Sequence, residues 1–262
     1  MTNERIKSSS APILLYVPNL MGYARILLAF VGLHLSTISS ISLSQPTNDE
    51  NDDNTDNNYV VIYAIGIWIS SSILDLFDGI VARKYNQCSS FGILLDVIAD
   101  NILRTTIWIA CIILSIVTTT TTSTTTTTTT ASTSCLFIIP IPTFIICVEW
   151  ITMICTQLHS KTSGGGSNHW KLKRETDPWF IQQVFRNNFK SPLGSLVIYG
   201  LYGSNLCLYG SYHSVIYNNI PYFTIFKYVA YSGRMVALLV ELKLCNDYVS
   251  YLILTDNDEK NE

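Results

Sequence analysis

At 262 residues the chain has room for one or two soluble domains, so length alone excludes little. Only 13% of the residues are charged, where soluble domains carry about 25%, and the mean hydropathy of +0.29 argues against an ordinary soluble protein. A formal net charge of −3 offers no polybasic surface for nucleic acid, and seven cysteines without C-x-x-C spacing indicate neither a disulfide framework nor a zinc site.

Six apolar stretches follow in chain order, near 12–36, 59–82, 91–117, 135–158, 192–214 and 221–244. Each approaches or exceeds the ~20 residues a helix needs to cross a hydrocarbon core. The first is too long, and too interrupted by Pro18, Asn19 and Arg25, for a cleaved signal peptide. The expected architecture is all-α, an integral membrane bundle of six transmembrane helices forming a single membrane domain over 1–262. Disordered loops are expected at about 42–58 (Asn/Asp-rich) and 118–134 (Thr/Ser-rich), with a polar tail at 255–262.

Charge placement sets an expected orientation. Lysine and arginine outside the spans occur at Arg5, Lys7, Arg83, Lys84, Lys161, Lys171, Lys173, Arg174, Arg186, Lys190 and Lys260, and loops 37–58, 118–134 and 212–220 have none. By the positive-inside rule both termini and the loops 83–90 and 159–191 face the cytosol.

Spans two and three carry Asp75, Asp78, Asp96 and Asp100. An ionised side chain at mid-membrane costs about 2.5–3.5 kcal/mol on insertion scales, so four of them need compensation. Asp75 and Asp78 are three residues apart, Asp96 and Asp100 four, so each pair shares a helix face. The short turn at Asn86-Gln87-Cys88-Ser89 predicts antiparallel neighbouring helices. Both carboxylate pairs lie symmetrically about that turn, which brings all four to one level roughly 13 Å away at ~1.5 Å per residue.

Four converging carboxylates cannot all be ionised without cations, and an all-oxygen ligand set suits Mg2+ or Mn2+ bridging to a substrate phosphate. Gly79 and Gly92 leave space for a ligand near the backbone, and Arg83 offers a guanidinium fork for phosphate. The residues alone therefore indicate metal-assisted phosphoryl transfer, with a carboxylate-relay ion transporter as the competing class.

Residues 75–100, DLFDGIVARKYNQCSSFGILLDVIAD, fit the pattern D-x2-D-G-x2-A-R-x8-G-x3-D-x3-D at all eight fixed positions. This resembles the signature of the CDP-alcohol phosphatidyltransferases. Within that family YVPNLMGYARILLAF (16–30), the segment around Asn86, Gln87, Phe91 and Gly92, and more faintly SNHWK (167–171) are similar to the eukaryotic phosphatidylinositol synthases. The chain departs from them in span four, where VEWITMICTQLHS (148–160) replaces a His-rich stretch containing an aspartate. Glu149 stands where that acid is expected and His159 keeps one imidazole. The residue after the final aspartate is often arginine in the family; here it is Asn101, with Arg104 one turn on.

The resemblance implies that Asp75, Asp78 and Asp96 hold divalent metal, with Asp100 beside them as general base and further acidic ligand. It implies CDP-lipid binding by Gly79, Ala82 and Arg83, and acceptor binding by His169 and Lys171. The implied reaction moves the phosphatidyl group of CDP-diacylglycerol to myo-inositol at the cytosolic face of the endoplasmic reticulum membrane, among membrane lipids, with a homodimer as the assembly to test. Serine, glycerol phosphate, choline or ethanolamine remain alternative acceptors.

Asn19 and Arg25 are polar groups in a span and need partners there, either in packing or at the site. Lys227, Arg234, Glu241 and Lys243 in span six read as snorkelling groups or intramembrane pairs, with Arg234 and Glu241 on one face. Trp170, Trp179, Tyr199, Tyr202, Tyr209, Tyr212 and Tyr217 read as interfacial aromatic belts.

Overall fold

The computed structural model describes residues 12–44, 53–123, 139–162, 177–187, 189–213, 216 and 220–259. Every regular element among them is helical. A 3-10 turn at Ile13–Leu15 precedes α1 (Val17–Ser44), α2 (Asp53–Lys84), α3 (Ser90–Ser123), α4 (Pro140–Thr162), the short α5 (Trp179–Phe185), α6 (Pro192–Ser211) and α7 (Phe223–Glu259). The all-α membrane bundle expected from the sequence is the architecture found. In a bilayer no water satisfies backbone N–H and C=O groups, so helices that pair them internally are the form such apolar segments take.

Five of the described helices, α1, α2, α3, α4 and α7, are long and apolar enough to cross a membrane. The sixth expected span, α6, falls short of that apolarity because Gly, Ser, Asn and Tyr interrupt its leucines. It still has 20 residues, a length of roughly 30 Å, and it packs extensively along α7.

The helices reach further into both polar segments than expected. Helix already covers Asp53–Asn58 of the first polar segment and Thr118–Ser123 of the second. Extending an existing helix adds one backbone bond per residue without the cost of a new nucleus. The Thr118 and Thr119 hydroxyls also return hydrogen bonds to the Leu114 and Ser115 carbonyls at 3.0 and 2.7 Å. The polar tail is helical through Glu259. The remaining parts of both loops lie outside the described residues.

The expected pairing of the second and third spans as direct neighbours is corrected. α1 packs closely on both α2 and α3, whereas α2 and α3 touch each other little. One reason is Gly32 in α1, where any Cβ would collide with the Trp68 indole of α2. Trp68 fills that space, fully buried, and donates to the Ala29 carbonyl at 3.2 Å. α3, the most buried of the long apolar helices, joins this half to the other, touching α4 and α6, while α4 and α6 both lean on α7. Between α6 and α7 the backbones cross at Gly200 and Gly233, so closely that a Cβ on either would strike the other helix's main chain.

Candidate active site

The turn between α2 and α3 is built for sharpness. Asn86 has φ 53°, in the left-handed region that asparagine tolerates better than most residues. The Gln87 side-chain oxygen accepts from the Val17 amide at 3.0 Å, tying the turn to the start of α1. Ser89 caps α3, its hydroxyl accepting from the Gly92 amide at 3.0 Å. The expected level of the carboxylates follows, and oxygens of Asp75, Asp78 and Asp96 lie within 4.8 Å of one another.

They meet across α1. The Arg25 guanidinium, 1% exposed, sits among all four carboxylates: 2.8 Å from Asp75, 2.9 Å from Asp78, 2.6 Å from Asp96, and in contact with Asp100. Arg25 therefore belongs to the site, and its partners are the carboxylates themselves. Asn19, also buried, donates to the Ile13 carbonyl at 2.6 Å and lines the adjacent cleft. One guanidinium against four carboxylates leaves an excess of negative charge when all are ionised. The carboxylates remain 13–46% exposed and so are accessible from outside. An excess of converging oxygen ligands with access to solvent fits a divalent metal of the magnesium or manganese kind.

Beside the carboxylates opens a cleft of ≈ 200 Å³ between α1, α2 and α3. Gly79, Ala82 and Arg83, expected on the nucleotide side, all line it with Asp78 and Asp96. Gly92 belongs to the same wall, and a Cβ there would stand 2.9 Å from the Asn19 side-chain oxygen. Arg83 is exposed and makes no ion pair among the described residues, leaving its guanidinium for an anion.

On the far side of Asp100 lies a second set of buried charges. Arg104 donates to Glu149 at 3.2 Å and also to the Asn101 side-chain oxygen. Glu149 lies 3.4 Å from Arg234, which donates to Glu241 at 2.9 Å. Arg234 and Glu241 thus form the intramembrane pair that their spacing suggested. Asn101, Arg104, Glu149 and Glu241 line a cavity of ≈ 170 Å³ between α3, α4, α6 and α7. Lys243 is paired with Asp177 at 3.6 Å and with Asp247, nearer the helix end.

Other expectations change. His159 is buried edge-on against Tyr248 and Tyr251, with ring centroids 6.0 and 5.1 Å away, and lines neither the cleft nor the cavity just described. The aromatic-belt reading fails for three tyrosines. Tyr209 is fully buried against Trp68, Tyr212 hydrogen-bonds Ser115 at 2.8 Å, and the Tyr202 hydroxyl donates to Asp100 at 2.7 Å. Tyr202 is the site residue that sequence reasoning missed. The available signal was Asn205, a polar residue three positions on and on the same face of α6. His169, Lys171, Trp170 and Tyr217 lie outside the described residues.

The family model described as CDP-alcohol phosphatidyltransferase matches residues 15–165. CDP-diacylglycerol–inositol 3-phosphatidyltransferase of Candida albicans is 33% identical over 95 residues, covering 36% of this chain and 32% of that protein. The matched stretch thus spans about a third of that relative's length. The Saccharomyces cerevisiae protein of the same name is 23% identical over 259 residues, 97% of this chain and 93% of its own. CDP-diacylglycerol–glycerol-3-phosphate 3-phosphatidyltransferase of Rickettsia bellii is 46% identical over 48 residues, 18% of this chain and 24% of its own. No solved structure matches the chain. The matched span contains the Arg25 hub, all four carboxylates and the cleft beside them, and on that match the chain belongs to the CDP-alcohol phosphatidyltransferase family.

Proposed function

We propose that this protein transfers the phosphatidyl group of CDP-diacylglycerol to myo-inositol, releasing CMP. The observation that carries the reading is the convergence of four carboxylates beside a cleft lined by Gly79, Ala82 and Arg83. In this reading Asp75, Asp78 and Asp96 hold divalent metal, Mg2+ or Mn2+, whose charge when bound offsets that of the pyrophosphate and the departing CMP. Gly79 and Ala82 admit the cytidine without steric conflict, and Arg83 pairs with a phosphate. Asp100 accepts the proton of the inositol hydroxyl as that oxygen bonds to the lipid-bearing phosphorus and the bond to CMP breaks.

The ≈ 170 Å³ cavity is lined by Asn101 and Arg104, one residue and one turn beyond Asp100 on α3, and is the proposed place for the acceptor. The one arginine lining it, Arg104, is already matched by Glu149, which favours an uncharged polyol. His169 and Lys171 complete the proposed acceptor contacts. The relatives named for inositol support this acceptor, and the short match to the Rickettsia bellii protein makes glycerol phosphate the second reading. The proposed setting is the endoplasmic reticulum membrane, with the site open to the cytosol and a homodimer as the assembly.

Purified protein with CDP-diacylglycerol and labelled polar alcohols tests the reaction. Incorporation of inositol into lipid is expected, and incorporation of glycerol phosphate or serine instead would replace the acceptor. Orientation is tested by a cysteine at position 126 in a background whose native cysteines are replaced: Thr126→Cys should label in sealed vesicles only after permeabilisation, and labelling from the cytosolic side would reverse the topology.

A further inference from the structure

The two oxygens of Asp100 have different partners. Oδ1 contacts the Arg25 guanidinium, within the carboxylate hub, and Oδ2 accepts the Tyr202 hydroxyl at 2.7 Å. Tyr202 comes from α6, which supplies no carboxylate to the hub and packs against α3. The phenol ring is itself held: the Arg104 guanidinium lies over it, 5.4 Å from the ring centroid, and Arg104 is fixed by Glu149. A chain of contacts therefore runs from α4 through Arg104 and Tyr202 to one oxygen of Asp100.

The torsion that turns a carboxylate about its last carbon bond is broad, so an aspartate held at one oxygen can rotate. A second bond, from a hydroxyl to the ionised oxygen, is of the stronger charge-assisted kind and fixes the plane. That plane decides which lone pair points toward an incoming hydroxyl, and a base must stand within hydrogen-bond reach of the proton it takes. We propose that Tyr202 is a positioning residue for the reaction: its hydroxyl holds the Asp100 carboxylate in the orientation in which it meets the acceptor. The inference rests on the reading of Asp100 as the base, and it assigns Tyr202 no direct contact with the reacting atoms.

The test is a double-substitution cycle on the full-length protein in lipid nanodiscs, with CDP-diacylglycerol and labelled inositol. Tyr202→Phe removes one oxygen. It is expected to lower kcat by at least ~10-fold, within the ~100-fold that a 1 Å misplacement can cost. KM for CDP-diacylglycerol and the thermal midpoint should stay as in the wild type. In an Asp100→Asn background the same substitution should cost less than ~2-fold, because the oriented base is already gone. Tyr202→His, which keeps a donor, should retain more turnover than Tyr202→Phe. An unchanged kcat for Tyr202→Phe, an equal loss in both backgrounds, or the reverse order of His and Phe would each overturn the inference. Wild-type turnover of Asp100→Asn alone would instead remove the base reading on which it stands.

Discussion

Among the described residues, the charges around Arg25 and those around Glu149 form clusters built on opposite plans. Around Arg25 one cation faces four carboxylates, and the acids stay 13–46% exposed. Around Glu149 two arginines face two glutamates, none more than 12% exposed. The second cluster is balanced and buried, so each charge already has an oppositely charged neighbour. The first is unbalanced and open, a poor arrangement for a purely structural element and a suitable one for binding cations and a phosphorylated ligand. Burial of charge alone would not separate the two. The difference lies in whether the charges cancel.

The sharpest way to break this comparison is to remove a carboxylate from the open cluster. Asp78→Ala, or the same change at Asp75 or Asp96, is expected to abolish phosphatidyl transfer and weaken divalent-ion binding while leaving the protein folded. Chelation of divalent ions should abolish transfer by the wild type, and full activity after chelation would remove the metal assignment.

The closed cluster should respond through stability. Glu149→Gln leaves Arg104 and Arg234 buried with too little countercharge, a change that typically costs about 3–5 kcal/mol. The measurement is a thermal melt in detergent, where a clear fall in midpoint is expected. An unchanged midpoint with lost catalysis would place Glu149 in the chemistry instead.

Asp100→Asn comes next in size. Turnover should fall ~100-fold, about 2.7 kcal/mol in the barrier, with CDP-diacylglycerol binding intact. Recovery of turnover at high metal would make Asp100 a ligand only. Glu241→Gln should be the mildest. Glu241 pairs with Arg234 alone, and Arg234 keeps Glu149, so the loss should stay near the ~1–3 kcal/mol of one unsatisfied buried group. A melt as severe as that of Glu149→Gln would mean the network fails as a unit.

The open cluster was largely legible in the sequence, because its logic is local. The spacing of Asp75, Asp78, Asp96 and Asp100 about a short turn fixes their face and level through helix geometry alone. The position of α1 between α2 and α3 was not legible, since chain order says which helices follow one another but not which third helix comes between them. The Gly32–Trp68 fit carries that information, and its two halves are far apart in sequence.

The closed cluster was harder for the same reason. Asn101, Arg104 and Glu149 looked like separate departures from a family pattern, yet Arg104 bonds both of the others. Tyr202 was hidden by type: a tyrosine in an apolar segment fits a membrane interface as well as a buried hydrogen bond. Only the packing of α6 on α3 separates the two uses.

The crossing of α6 and α7 at Gly200 and Gly233 has a consequence for assembly order. In lipid, helices associate through close packing at small residues rather than through the hydrophobic effect. The last two long helices can therefore pair as soon as both are inserted, before either meets the rest of the bundle. Tyr202 lies two residues beyond one glycine of the crossing, and Arg234 directly follows the other. The pair would then dock as a preformed clasp, presenting Tyr202 to Asp100 and Arg234 to Glu149 in a single registered step. Gly200→Leu should spoil both engagements together, and pulse-labelled crosslinking during synthesis would show this pair failing before any other contact is lost.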